Sequence, residues 1–565
     1  MKSLTGLDAT FLYLETLEMP MHVGSFNLCD LPDGFKGSFH TAVMAHIGKR
    51  LHLAPVFSRK LVFMPLDLGH PLWVAADSVD ITFHIRRADV ANTHLAKKIS
   101  EPMTLEAAQD RCAQLHSVLI DRNFPLWEFY VFDRIKLPKS MGGKVVGGFF
   151  SKIHHAALDG KGGVMLANAL LDLSPMPRSV PPPDVTRKRT KESDLKIGKM
   201  IGSVFSSSLG QLMKAAKSLP TAAATITSTL GSTLAKQSTS SATGFKAKMP
   251  MKLAPATPFN AGITSERVFV TATIPLAECK AISKAVGGSF NDIVLWICAT
   301  ALRNYLTKHH SLPKKSLVAA MPVSLRDAAE SQAKDATNLG NQVSMTLVEL
   351  GTHLAHPLKR MSAIMASTAK VKTSMQSLKG LLPTDYPSLL APWLVGGAAK
   401  MALNAYGKSG IASRLPIVAN LVISNVPGAP VPLYLAGAQL LSFYPTSIIM
   451  HGLGLNITVQ TYAGRVDFGI VADKKALPYA SDFAKAIEAA FAEATELIKA
   501  EQLLAKTAVA KATGRTKLEA VLSEKTSPGR DTLFKSKLQL KPNAPSHGKP
   551  VVKKIAKPKT AKRTA

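Results

Sequence analysis

The feature that most constrains the fold of this chain is a change of composition near its middle. Five prolines between residues 175 and 183, followed by a run of basic residues, open a stretch rich in serine, threonine and alanine. This composition is typical of a linker, which we place at residues 181–265. The flanking stretches, 1–180 and 266–505, are each long enough for a core of their own. The sequence therefore predicts two α/β halves, a linker, and a basic, mostly disordered tail at residues 506–565.

Positive charge is concentrated outside the two halves. The chain of 565 residues has 69 Lys and Arg against 38 Asp and Glu, a formal net charge of +31. Residues 181–260 contribute +9 (12 basic, 3 acidic) and residues 501–565 contribute +12 (16 basic, 4 acidic). A basic groove for nucleic acid within the halves is therefore disfavoured, and no specific nucleic-acid partner is predicted. An anionic membrane or a lipid-inclusion surface is the expected peripheral partner.

Part of the linker has the pattern of an amphipathic helix. One face of residues 197–212 would carry apolar side chains, with lysine and serine opposite; the apolar residues are Ile197, Ile201, Val204, Phe205 and Leu212. Two interpretations stay open. The helix either lies on a membrane surface or packs its apolar stripe against the protein itself.

The sequence predicts no metal site, secretory signal or membrane span. The cysteines show neither a CxxC pair nor a zinc-ligand spacing; they are Cys29, Cys112, Cys279 and Cys298. Asp8 and Glu15 interrupt the apolar residues at the N-terminus, unlike a signal peptide. The apolar run at 389–399 is about half as long as a bilayer-spanning helix. We expect a cytoplasmic protein that associates peripherally with the inner membrane or lipid inclusions.

Periodicity locates the regular elements around the most informative motif. Alternation predicts a strand at residues 145–153, and an apolar helix-like run occupies 164–171. The second half contains further predicted strands at residues 268–274, 317–322, 421–425, 455–462 and 465–471. Its last predicted helix carries Phe483, Ile487, Phe491, Ala494 and Ile498 on one face.

Between the strand and the helix-like run of the first half lies His154-His155-Ala156-Ala157-Leu158-Asp159-Gly160. A histidine at a strand end can face a cleft, and an imidazole that titrates near neutral pH can take a proton from a hydroxyl. Gly160 would permit a turn that a Cβ obstructs. The alternative is a packed histidine pair at a strand-to-helix corner, with Asp159 as a cap.

With this motif, the sequence resembles the bacterial wax ester synthase/diacylglycerol acyltransferases, within the CoA-dependent acyltransferase superfamily that carries HHxxxDG. The likeness covers about residues 4–500 apart from the linker. Its supporting segments follow the family's order: Leu7-Asp8, Pro20-Met21-His22-Val23-Gly24, Pro125-Leu126-Trp127-Glu128, Asn291-Asp292-Ile293-Val294-Leu295, Met321-Pro322-Val323, Ser424-Asn425-Val426-Pro427-Gly428, and His451-Gly452 with Leu455-Asn456-Ile457-Thr458. The resemblance implies a two-domain α/β, chloramphenicol-acetyltransferase-like fold with a tunnel between the halves.

The resemblance also implies a reaction. His155 would be the general base, supported by His154, and would deprotonate an acceptor hydroxyl as it attacks the thioester of acyl-CoA. Acyl-CoA is then a substrate, and no cofactor is expected. The acceptor would be diacylglycerol, giving triacylglycerol, or a long-chain fatty alcohol, giving a wax ester. The superfamily pairs the motif's aspartate with an arginine, so Asp159 should hold the loop, with Arg59 as a candidate partner.

Two further segments supply candidate site residues. Ser289 followed by Asp292 predicts a capping box, so Asp292 is expected to cap a helix. Asn291 is either an oxyanion donor or part of that helix start. The channel-lining candidates rest on family likeness, and a turn explains them equally well; they are Ser424, Asn425, Pro427 and Gly428.

Two rival functions stay open at this level. A condensation-type acyltransferase of the same superfamily would use another acceptor. A non-catalytic protein would use its basic segments to bind a lipid surface. Turnover of acyl-CoA with an alcohol or diacylglycerol separates both rivals from the favoured O-acyltransferase.

Overall fold

The computed structural model describes residues 2–63, 70–89, 101–158, 160–183, 253–324, 343–378 and 417–524. Residues 1–500 form one compact unit and residues 501–565 a second. The predicted helix at residues 197–212, Asp159 of the motif and the tail beyond Glu524 lie outside the described residues.

The helices of the described residues are α1 Gly6–Leu14, α2 Phe39–Gly48, α3 Ile81–His84, α4 Leu105–Ser117, α5 Gly160–Leu170, α6 Leu276–Val286, α7 Phe290–Lys308, α8 Pro357–Leu378 and α9 Ala480–Glu524. The strands are β1 Lys2–Ser3, β2 His22–Asp30, β3 Arg59–Val62, β4 Leu72–Ala75, β5 Ile85–Arg87, β6 Met103–Thr104, β7 Trp127–Lys136, β8 Val145–His154, β9 Arg267–Pro275, β10 Val318–Ser324, β11 Val343–Glu349, β12 Leu421–Val426, β13 Tyr434–Leu435, β14 Ala438–Leu440, β15 Tyr444–Thr446, β16 Leu455–Tyr462 and β17 Arg465–Asp473.

The motif lies at the end of the most buried strand of the first sheet. This sheet has the order β13-β14-β2-β8-β7-β5, and β8 runs antiparallel to both of its neighbours. Every residue of β8 after Val145 is buried. Apolar side chains cover both faces of the sheet, because one cluster packs around Phe26 and Phe150 and another around Phe129 and Phe149. The strand predicted at residues 145–153 is confirmed and extends to His154.

The second sheet packs with a helix that is buried along most of its length. Its order is β11-β10-β12-β16-β17-β9, and the strands predicted from alternation in the second half all belong to it. Thirteen of the 19 residues of α7 are buried, among them Trp296, which donates from Nε1 to Pro357 O at 3.1 Å. A helix that is hydrophobic all round must lie inside a core. Helix α7 is the centre of the largest apolar cluster.

The first sheet contains strands from the second half, and the two sheets share an apolar cluster. β14 and β15, which follow the second-half strand β12 in sequence, pair with β2 of the first sheet. Phe269 and Val471 of the second sheet belong to the same apolar cluster as Phe26 of the first. The two predicted halves are therefore interleaved near residues 434–446 rather than joined only by the linker.

Helix α9 extends further than predicted. We expected regular structure to end near residue 506, but α9 ends at Glu524. Residues 501–524 are rich in alanine, leucine, lysine and glutamate, which favour a helix, and the next proline is Pro528. The predicted disorder of residues 525–565 stays a prediction.

Within the described ranges, no single helix has the length and apolarity to span a bilayer. Helices α6 and α7 meet these criteria only as a pair, and their axes are bent by 101°.

Candidate active site

The candidate base follows directly from the end of β8. His154 is the last residue of the strand, and residues His155–Ala157 form a 3-10 turn. The His155 N–H donates to Met21 O at 2.8 Å, and the Ala156 N–H donates to the His154 Nδ1 at 3.1 Å. These two bonds fix the turn at the sheet end. Because the chain turns there, the two adjacent imidazoles enter different surroundings.

The His155 ring lies against an aromatic face. The Phe11 ring of α1 stacks on it, with centroids 4.0 Å apart and planes at 13°. His155 is partly exposed, yet its Nδ1 is buried without a hydrogen-bond partner among the described residues. Burial lowers the pKa of His155 to about 4, and the neighbouring His154 acts in the same direction. The ring is therefore neutral at neutral pH, which is the form that can accept a proton.

The His154 ring is fully buried and faces a carboxylate. Its Nε2 lies 3.2 Å from Glu15 Oε1, and His22 Nε2 lies 3.5 Å from the same oxygen. His22 is opposite His154 in the β2–β8 ladder. Burial lowers the pKa of His22 to about 4. His154 thus belongs to a buried polar cluster, and its supporting role stays a prediction.

Glu15 is the centre of this cluster. It lies at the C-terminal end of α1 and accepts from Arg122 Nη2 at 2.6 Å and from the Met21 N–H at 3.2 Å. Burial alone would raise the pKa of the Glu15 carboxyl, but His154 and His22 hold it well below its ordinary value. The carboxylate is therefore charged, and it joins α1 to β2 and to the motif.

A buried ion pair lies on the same strand, two residues before His154. Lys152 of β8 and Glu128 of β7 are ladder partners, and their Nζ and Oε2 atoms are 2.6 Å apart. Lys152 Nζ also donates to Leu115 O at 3.1 Å and to Val118 O at 2.9 Å, at the end of α4. Tyr130 donates its hydroxyl to Glu128 Oε2 at 2.7 Å. Burial lowers the pKa of Lys152, while Glu128 acts in the opposite direction.

The structure describes some of the remaining residues predicted for the motif region but not all of them. Gly160 begins α5, and Asp159 lies outside the described residues. Arg59 is in β3 and pairs with Ala75 of β4. The expected pairing of Asp159 with Arg59 therefore stays a prediction.

The second half presents its candidates on α7. Ser289 and Asp292 form the predicted capping box: the Ser289 N–H donates to Asp292 Oδ2 at 2.8 Å, and the Asp292 N–H donates to Ser289 Oγ at 3.3 Å. Thr368 Oγ1 of α8 donates to the other oxygen of Asp292 at 2.7 Å. Asn291 is partly exposed in the first turn. Its role as an oxyanion donor stays a prediction.

The four channel candidates lie at the end of β12. Ser424 and Asn425 are in the strand, and Pro427 and Gly428 follow it. A Cβ on Gly428 would lie 2.1 Å from Thr461 O of β16, so only glycine fits this close backbone approach. This contact explains the glycine structurally, and the channel role stays a prediction.

Other groupings of polar residues are separate from the motif. Within the described ranges, no group of three or more His, Cys, Asp and Glu residues has the arrangement of a metal site.

A cavity of about 450 Å³ lies between α2 and residues 177–180. Its wall includes Arg50, which is buried and donates from Nη2 to Asp172 at 3.0 Å. None of the predicted site residues lines this cavity.

Sequence reasoning missed the residues that surround the histidine pair. Phe11, Glu15 and Arg122 lie far from the motif in sequence, and no local spacing connects them to it. Lys152 did carry a signal, because a lone lysine in an otherwise apolar strand needs a buried partner. Glu128, in the segment Pro125-Leu126-Trp127-Glu128, was the acid available on the neighbouring strand.

Comparisons with family models and with known proteins identify the same family. Residues 4–294 match the wax ester synthase/diacylglycerol acyltransferase catalytic domain, and residues 339–494 match the WS/DGAT C-terminal domain. A protein of Mycobacterium tuberculosis named as a probable diacylglycerol O-acyltransferase, tgs2, is 31% identical over 481 residues, or 84% of this chain and 94% of that protein. The O-acyltransferase WSD of Acinetobacter baylyi is 30% identical over 490 residues, covering 85% and 93%.

A solved structure is similar over most of the chain. It is a wax ester synthase/diacylglycerol acyltransferase from Marinobacter aquaeolei VT8, with a TM-score of 0.60 and 25% identity. The match covers 88% of this chain and 100% of that one. The two-domain α/β fold predicted from the sequence is thereby confirmed.

Proposed function

Because the chain belongs to the wax ester synthase/diacylglycerol acyltransferase family, we propose that it transfers a long-chain acyl group from acyl-CoA to a lipid hydroxyl. The acceptor is diacylglycerol or a long-chain fatty alcohol, and the products are a triacylglycerol or wax ester and free CoA. One observation carries the proposal. The second histidine of the HHxxxDG motif is a neutral, partly exposed imidazole at the end of a rigid strand.

The reaction needs one base and no redox chemistry. The neutral His155 ring takes the proton of the acceptor hydroxyl while its oxygen attacks the thioester carbonyl. The C–S bond of the tetrahedral intermediate then breaks, and the imidazolium returns its proton to the CoA thiolate. Such proton transfer is worth about 10² to 10⁴ in rate, and alignment of the two substrates supplies much of the rest. A low pKa makes the imidazolium a good acid for the second step.

The charged groups behind the base act as a scaffold in this scheme. Glu15 and Arg122 hold the end of α1, and the Met21 carbonyl holds the His155 backbone. These contacts keep the strand end in one place while substrates bind and leave. Asn291, at the start of α7, is the proposed donor to the oxyanion.

The basic linker and tail serve membrane contact in this proposal. Their lysines and arginines would attract an anionic leaflet or a lipid inclusion, where both substrates are concentrated. Under this proposal the enzyme works at the cytoplasmic side of the inner membrane or on lipid inclusions. Because the attraction is electrostatic, it should weaken as salt is added.

The direct test is turnover of the purified protein. Palmitoyl-CoA is mixed with hexadecanol or with diacylglycerol, and free CoA and the ester are both measured. His155→Ala should lose about 10²- to 10⁴-fold in kcat. His40→Ala, the same change on α2 away from the motif, should keep most of the activity. Release of CoA by His155→Ala at the rate of the unaltered enzyme would refute the assignment.

An acceptor panel with one fixed acyl-CoA then defines the reaction further. Comparison of kcat/KM for diacylglycerol and for alcohols of increasing length decides which lipid class the enzyme prefers. An amine of matched chain length tests the condensation-type alternative. Amide formation faster than ester formation would contradict the proposal.

A further inference from the structure

Helix α1 brings an aromatic ring to the candidate base. The Phe11 ring lies parallel to the His155 ring at 4.0 Å and 13°, so one face of the imidazole is covered. Phe11 is partly buried and packs against two apolar clusters, around Leu12 and Leu126 on one side and around Met19 and Met21 on the other. Its position is therefore fixed by packing on several sides.

The usual means of orienting a catalytic imidazole is missing from the described residues. In most sites, a hydrogen bond to the second ring nitrogen sets both the tautomer and the direction of the ring. The Nδ1 of His155 is buried without such a partner. The stacked Phe11 ring is a contact that can restrain the tilt of the imidazole.

We propose that Phe11 is a positioning residue for acyl transfer, whose ring holds the His155 imidazole in the orientation from which it takes the acceptor proton. The inference rests on the proposed function. Phe11 itself exchanges no proton. Its effect on the rate passes through His155, because a base that is tilted or displaced by about 1 Å can cost about 10²-fold in rate.

The helix that carries Phe11 is anchored at both ends, as such a role requires. At its start, the Thr5 hydroxyl accepts from the Asp8 N–H at 3.2 Å and donates to Asp8 Oδ2 at 2.7 Å. At its end, Arg122 Nη2 donates to Leu12 O at 2.9 Å and to Glu15 Oε2 at 2.6 Å. A helix held in this way cannot slide along the strand end. The anchored helix therefore holds the Phe11 backbone in one place beside His155.

The stack also excludes water from one face of the base. Burial is the largest cause of the low pKa of His155, at about 4. The titratable groups on the elements that pack around it are His154 next in the chain, Asp8, Tyr13 and Glu15 on α1, His22 on β2, and Lys152 on β8. Of these, His154 is the one whose charge acts on the pKa of His155, and it lowers that pKa. Removing the Phe11 ring should therefore raise that pKa toward the ordinary value of about 6.5.

The test compares Phe11→Leu with the unaltered enzyme. Leucine keeps an apolar side chain but lacks the flat face. We expect kcat to fall about 10- to 100-fold, with the KM for palmitoyl-CoA changed less than about twofold, since a positioning residue acts on proton transfer rather than on substrate binding. The acid limb of the pH profile of kcat/KM should move up by about 1 to 2 pH units, because the His155 ring is then protonated over more of the acid range. Phe11→Tyr retains the ring and should restore the acid limb.

The matched control is Phe35→Leu. Phe35 is also partly buried in the first half, but it packs on the cluster around Phe129 and Phe149 instead of the two clusters that hold Phe11. Thermal melting of all variants shows whether they fold. A second readout uses the His155 ring signal in an NMR titration of ring-labelled protein, assigned with His155→Ala. It reports the pKa without depending on turnover.

The outcomes separate this inference from the proposed function. Loss of kcat in Phe11→Leu, with a raised acid limb and a raised His155 pKa, supports it. An unchanged His155 pKa in Phe11→Leu overturns it, as does equal loss of activity in Phe35→Leu. Unaltered enzyme that releases no CoA with any acceptor instead refutes the proposed function and, with it, the role of Phe11 in acyl transfer.

Discussion

The two adjacent histidines of the motif have opposite surroundings. His154 is sealed among charged groups, with Glu15 Oε1 3.2 Å from its Nε2. His155 is partly exposed, stacks on Phe11, and has no ionic partner among the described residues. Successive residues at the end of a strand point in different directions, so adjacent positions can serve different purposes. The comparison shows how the chain places a reactive ring beside a charged cluster while keeping it neutral.

The charged groups on the His154 side of the motif are also the ones that connect elements of the fold. Glu15, Arg122 and the Lys152–Glu128 pair connect α1, α4 and two strands of the first sheet. A buried ion pair is weak evidence of net stability, but removing one partner leaves an unpaired buried charge. Variants on this side should therefore change stability first, whereas variants at His155 should change the rate first.

The largest expected effect on stability comes from Lys152→Met. This change leaves the Glu128 carboxylate buried without its partner, which should cost about 3 to 5 kcal/mol of unfolding free energy. Chemical denaturation measures the loss. The matched control is Lys308→Met, which breaks an exposed pair with Asp482 and should have a much smaller effect, because solvent screens that pair. Equal losses in the two variants would show that burial of the Lys152–Glu128 pair has no such consequence.

Glu15→Gln should have a smaller, pH-dependent effect. The pKa of Glu15 is depressed in the folded state, so its charged form stabilises the fold above the unfolded-state pKa of about 4.3 and this stability is lost as the pH falls. We expect about 1 to 3 kcal/mol lower stability at neutral pH and a shallower decline in acid. Denaturation at several pH values checks this expectation. Glu266→Gln, in an exposed pair with Lys474, is the control and should be close to neutral. A decline in acid as steep as that of the unaltered protein would contradict the role given to Glu15.

The pH dependence of the rate tests the low pKa of His155. Since the pKa of His155 is about 4, the base is neutral over most of the acid range. We expect kcat/KM to stay nearly level from neutral pH down to about pH 5 and to fall tenfold per unit below the pKa. An acid limb centred near the ordinary histidine value of about 6.5 would show that burial and Phe11 do not depress the pKa.

The smallest effect on chemistry should come from removing residues 525–565. Like the charged groups around His154, this basic tail is not expected to take part in the reaction. It is expected to bind anionic surfaces rather than substrates. We expect kcat with a short, dispersed alcohol to be unchanged, and binding to phosphatidylglycerol vesicles at low salt to weaken. Vesicle sedimentation measures the binding. Equal binding with and without the tail would remove it from the proposed membrane contact.

The sequence predicts the strand well, and locates the motif that carries the candidate base at its end, because both signals are local. Alternation and aromatic residues locate β8, and HHxxxDG lies at its end. The capping box of α7 is also local, since Ser289 and Asp292 are three residues apart. Each of these features depends on residues within one turn or one strand of each other.

The surroundings of the base could not be predicted in the same way. Phe11 reaches His155 only because α1 packs on the turn after β8, and Glu15 meets His154 for the same reason. The pairing of β14 and β15 with β2 likewise depends on how the two halves pack together. Tertiary contacts between distant segments leave no fixed spacing in one sequence. An unpartnered charge such as Lys152 is the exception, because its burial alone demands a partner.

The central claim is that His155, and not His154, performs the chemistry. The most direct measurement compares His155→Gln with His154→Gln for both kcat and unfolding free energy. We predict that His155→Gln loses about 10²- to 10⁴-fold in kcat with little change in stability. His154→Gln should instead lose stability first and retain more of its turnover. The reverse pattern, with an active His155→Gln and a folded but inactive His154→Gln, would contradict the account.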